Sequence, residues 1–70
     1  MNRFEIEEEL KSLRQKQKVM ENDLSKFATE LSATSQVAII ARIAIVRQDI
    51  DDYQKMLDIL AFDDIVRDQF

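Results

Sequence analysis

Two runs of apolar residues at alternating steps of four and three constrain this chain more than any other feature. Ile6, Leu10, Leu13, Gln17, Met20, Leu24, Phe27 and Leu31 form the first run, and Ile39, Ile43, Val46, Ile50, Tyr53, Leu57 and Leu60 the second. That spacing keeps side chains on one face of a 3.6-residue helix. Two such faces of similar length, parted by the polar break at Ser32 to Ser35, describe helices that close on each other. The rival is one uninterrupted helix. Continuing the first run past Leu31 lands on Thr34, Ala38, Ala41, Ile45 and Gln48, a seam that soon turns polar. The strongest apolar positions beyond the break lie out of phase with it, so folding back is expected.

What the chain lacks narrows the choice further. It has 70 residues, no Cys, no His, no Gly and no Pro. Domains this small often need disulfides, a metal or oligomerisation to stabilise them. Without Cys and His, oligomerisation is the expected route. Without Gly and Pro, hairpin turns and phosphate-cradling loops are hard to build, whereas helices with short polar connections are easy. The chain is therefore expected to be a single domain.

Helix one is expected over about residues 3–31. Asn2 is placed to cap it, and Glu5, Glu7, Glu8 and Glu9 sit where the positive end of the helix dipole favours acids. Helix two is expected over about residues 35–60, capped by Ser32, Thr34 or Ser35. Its first half, Val37 to Val46, has six β-branched residues in ten, which makes a strand the local alternative. The 4–3 spacing continues to Leu60 and favours a helix. Ile40, Ala41, Ala44 and Ile45 flank the stripe there, so the apolar surface is wider than one partner helix can bury. Residues 61–70 leave the stripe at Asp64 and carry a new one, Phe62, Val66 and Phe70 with Ile65 beside it. They either extend helix two or start a short third helix near Asp63.

Two antiparallel registers pair the stripes. With facing residue numbers totalling about 70, Leu31 meets Ile39, Phe27 meets Ile43, and Gln17 lies opposite Tyr53. Shifted to 66 or 67, Arg14 and Lys16 come beside Asp51 and Asp52, and Glu21 and Asp23 beside Arg42 and Arg47. The fold class expected is all-α: an antiparallel two-helix coiled-coil hairpin with a short C-terminal helical segment, dimerising into a four-helix bundle. Ile39, Ile40, Ile43, Ala44, Ile45 and Val46 are the expected self-association residues.

Enzymatic function finds no support. General acid–base and covalent catalysis draw on His, Cys or a carboxylate of tuned pKa, and Ser12, Ser25, Ser32 and Ser35 have no evident base. The acidic clusters Asp49/Asp51/Asp52 and Asp63/Asp64/Asp68 lack the Gly and terminal Glu of a calcium loop. Neither cofactor nor metal is expected. The net charge of −4 and the scarcity of interleaved aromatics argue against nucleic acid, although Lys11, Arg14 and Lys18 at i, i+3 and i+7, with Lys16 nearby, make one face of helix one locally basic. The longest apolar stretch is too short to span a bilayer and is interrupted by Arg42. No signal-peptide hydrophobic region opens the sequence, so a cytoplasmic setting is expected.

The function expected is therefore non-enzymatic: a small self-associating protein that works by protein–protein interaction, as an assembly or secretion chaperone, an adaptor or an inhibitor of a larger protein. Phe62, Ile65, Val66 and Phe70 are the candidate docking residues for that partner. The alternatives are a nucleic-acid-binding regulatory bundle using the basic stretch, or a structural assembly module.

Overall fold

The computed structural model describes residues 2–69, with side-chain surroundings given for residues 2–67. Two helices, α1 (Arg3–Phe27) and α2 (Ala33–Gln69), pack against each other, and no strand occurs among the described residues. The β-branched run from Val37 to Val46 is helical throughout. A hairpin of this kind is long and thin, about 59 × 16 × 15 Å.

Local chemistry explains where each helix starts. The Asn2 side-chain oxygen accepts from the Glu5 backbone N–H at 2.8 Å, capping α1 with Glu5 in the first turn. Ser32 caps α2: its hydroxyl oxygen accepts from the Ser35 N–H at 3.2 Å, and the two hydroxyls lie 3.0 Å apart. Each such cap satisfies a backbone donor that has no partner within its helix.

α1 ends four residues earlier than its stripe predicts. The N–H groups of Glu30 and Leu31 both donate to the Phe27 carbonyl, which tightens the chain into the turn. No residue of the connection takes a positive φ, so the left-handed glycine cap is replaced by another device. The Gln36 side-chain amide reaches back from α2 and donates to the carbonyls of Ala28 at 2.6 Å and Leu31 at 3.1 Å. One side chain thus satisfies two carbonyls that α1 leaves open. Replacing Gln36 by Ala removes both bonds and is expected to cost about 1–2 kcal/mol in urea denaturation. Gln36→Glu, which turns an acceptor toward those carbonyls, should cost more.

The stripes face each other as expected. Ile6, Leu10, Leu13 and Ile43 are buried, and Met20, Leu24, Ile39, Val46, Ile50, Leu57 and Leu60 are half-buried. Polar contacts select the shifted register. Arg3 meets Asp64 at 2.9 Å, Arg14 donates to Gln54 at 3.2 Å, and Arg47 meets Glu21 at 3.0 Å, so facing residue numbers total 67 or 68. The details differ from expectation at several points. Arg14 bonds Gln54 rather than Asp51 or Asp52, since Asp51 pairs with Lys55 on its own helix and Asp52 accepts from Gln48. Gln17 donates to Glu21 one turn on instead of facing Tyr53. Phe27 stays partly exposed, with the Lys26 ammonium 5.3 Å from its ring centre.

The C-terminal segment is no separate helix. α2 runs unbroken through Asp63 and Asp64 to Gln69. Asp64 occupies a stripe position, and there it meets Arg3, the first residue of α1. The stripe turns polar where its partner helix runs out.

Candidate self-association and docking surfaces

The hairpin splits the six expected self-association residues into two sets. Ile43 is buried and Ile39 and Val46 are half-buried on the seam that faces α1, so these three serve the hairpin itself. Ile40, Ala44 and Ile45 are exposed and open to another chain. The residues from Ile39 to Val46 are thus divided between the seam with α1 and the exposed flanks of α2. The cause is helical periodicity: with α1 covering the inner positions, only those between them reach solvent.

A groove lies along each side of the hairpin. One is lined by Glu21, Leu24, Ile40, Ala44 and Arg47, and the Glu21–Arg47 ion pair stands over it. The other is almost purely apolar, formed by Val19, Met20, Ile45 and Val46, with Lys16 and Arg42 at its margin. Val19 and Ile45 are both exposed there. Val19 escaped the sequence reading because it lies off the stripe of helix one. The signal was available, since Val19 is the one β-branched residue on the otherwise charged and polar flank of that helix.

The candidate docking residues lie further along α2. Phe62 and Ile65 are exposed and Val66 is half-buried; Phe70 lies outside the described residues. None of the first three sits at a position facing α1. Phe4 is also 69% exposed, at the start of α1. A single exposed apolar side chain is ordinary, whereas a run of them on one helix face marks a contact surface.

Lys11, Arg14 and Lys18, at i, i+3 and i+7, share one exposed face of α1, where Arg14 also bonds Gln54; Lys16 lies apart from them and lines the apolar groove. Arg42 likewise borders that groove and pairs with neither Glu21 nor Asp23; Arg47 takes Glu21 instead. Lys55 is exposed, and its hydrogen bond and charge contact with Asp51 raise its pKa. No group of metal-ligating side chains occurs among the described residues, and no described helix is long and apolar enough to cross a membrane. No protein-family model, no curated protein and no solved structure matches the chain.

Proposed function

We propose that this chain is a non-enzymatic helical module that self-associates, two hairpins joining into a four-helix assembly, and that works by binding another protein as an assembly or secretion chaperone, an adaptor or an inhibitor. One observation carries the reading: the hairpin leaves too much apolar surface in water. Among the described residues only Ile6, Leu10, Leu13 and Ile43 are buried, while Val37, Ile40, Ile45, Ile59, Phe62 and Ile65 are each more than half exposed. The chain exposes 5582 Å². A compact monomer of its 8.2 kDa mass exposes about 4,500 Å². The excess, roughly 1,000 Å², is of the size that each partner buries in a standard protein interface, about 800 Å².

Apolar exposure favours this reading over nucleic-acid binding, because the basic face of Lys11, Arg14 and Lys18 is short and the chain as a whole carries a net charge of −4. Mass action supplies the test. If the folded state is an oligomer, raising the chain concentration a hundredfold should raise the midpoint of thermal unfolding by several degrees. A midpoint independent of concentration would mean that the hairpin stands alone.

A further inference from the structure

The two apolar ends of α2's outer face match one another, and the geometry points to a dimer in which α2 lies antiparallel against α2 of a second copy, with the two-fold axis near Asp52. This rests on the self-association proposed above and assigns it a surface and an orientation.

The outer face of α2 carries a 4–3 repeat of its own. It runs Ala38, Ala41 and Ile45, then Gln48, Asp52 and Lys55, then Ile59, Phe62 and Val66. These positions lie opposite the stripe that packs on α1, and all but Val66 are exposed. A second seam on one helix, apolar at both ends and polar in its middle third, is a pattern that a second helical partner can cover. It extends over 29 residues of α2, about 42 Å at 1.5 Å per residue. A seam that long matches the excess of exposed surface.

Size and charge fix the orientation. The N-terminal third of the seam carries two small residues, and the C-terminal third carries only large ones. Laid antiparallel with facing numbers totalling about 104, Ala38 meets Val66, Ala41 meets Phe62, and Ile45 meets Ile59 of the other copy. Each large side chain then faces a small one or an equal, as close packing demands. On the flank of the seam Arg42 comes beside Asp63 of the second copy, opposite charges that form no ion pair among the described residues of one chain. Gln48 lies across from Lys55. Asp52, at the axis, meets its own copy in either orientation; a parallel dimer adds Arg42, Lys55 and Asp63 to the residues set against their own copies, and sets Ala38 and Ala41 against themselves, leaving voids.

The seam also explains why the second copy is this chain and not another protein. Its two ends are complementary to each other, which is the condition for an isologous two-fold interface. The C-terminal patch of Phe62, Ile65 and Val66 is thereby assigned to the N-terminal half of α2 in the partner.

The absence of Cys makes the test direct, because any introduced thiol is unique. Gln48→Cys and Lys55→Cys alter exposed polar positions and leave the apolar ends intact. Disulfides need Cα atoms within about 7 Å. Mixed under mild oxidation, the two variants should form the Q48C–K55C heterodimer, while neither crosslinks efficiently to itself, since like residues stand a full two turns apart. Self-crosslinking of Q48C or K55C alone, in preference to the mixed product, would overturn the antiparallel seam in favour of a parallel one. No crosslink in any combination, with a dimer mass retained in sedimentation, would place the interface on another face of the hairpin. A monomer mass for the unaltered chain would bring down the self-association reading itself.

Discussion

Ile43→Asp is expected to abolish the cooperative unfolding transition and leave a largely unfolded chain. Ile43 is one of four buried residues, 7% exposed on the seam between the helices. Removing most of a buried Ile side chain costs about 2–5 kcal/mol, and a carboxylate placed there adds the penalty of an unpaired charge. Domains of this size draw only about 3–5 kcal/mol from their core, so the substitution consumes the whole margin. Circular dichroism would show the loss of helix directly. A folded I43D hairpin would mean that the seam between α1 and α2 contributes little.

Two residues further on, the same kind of change has a different outcome. Ile45→Lys is expected to halve the mass in sedimentation while keeping the helical signal at low temperature. Ile45 is 62% exposed, off the buried seam and on the margin of the groove it shares with Val19 and Met20, and Lys is a good helix former. In the proposed dimer Ile45 is buried against Ile59 of the other copy, and the two-fold axis repeats that contact. Losing about 1.5–3 kcal/mol of burial at each of two sites weakens association by a hundredfold or more. If Ile45→Lys leaves the association unchanged, the outer face of α2 is not the interface.

The contrast between these neighbours shows what the sequence makes legible. Heptad spacing together with the polar break at Ser32 to Ser35 predicts the two helices, their antiparallel packing and the excess width of the second stripe. It does not say that the width is two separate stripes, because the inner and outer faces of α2 are told apart only when α1 covers one of them. Phase alone does not divide the chain either. Ala38, Ala41 and Ile45 continue the α1 run in step, and beyond the polar layer of Gln48, Asp52 and Lys55 the repeat resumes at Ile59, Phe62 and Val66. The hairpin is set instead by local bonds, the Ser32 cap and the Gln36 amide on the carbonyls of Ala28 and Leu31.

Register was open for a related reason. Apolar stripes slide by several residues with little loss, since one Leu or Ile replaces another in each layer. Exposed ion pairs and side-chain hydrogen bonds mark the outcome: Arg3 with Asp64, Arg14 with Gln54, and Glu21 with Arg47. Single exposed pairs contribute only about 0.2–1 kcal/mol, so they tip a choice between near-equal packings rather than hold the fold. Asp64 illustrates the point. Read along the chain it looks like the end of a helix, yet it is the stripe position that meets the first residue of α1.

The account stands on the claim that this hairpin is half of its folded unit. Sedimentation equilibrium of the unaltered chain tests that claim most directly. A mass of twice 8.2 kDa across the micromolar range is the result predicted. A single species at 8.2 kDa, fully helical and unchanged with concentration, would contradict it.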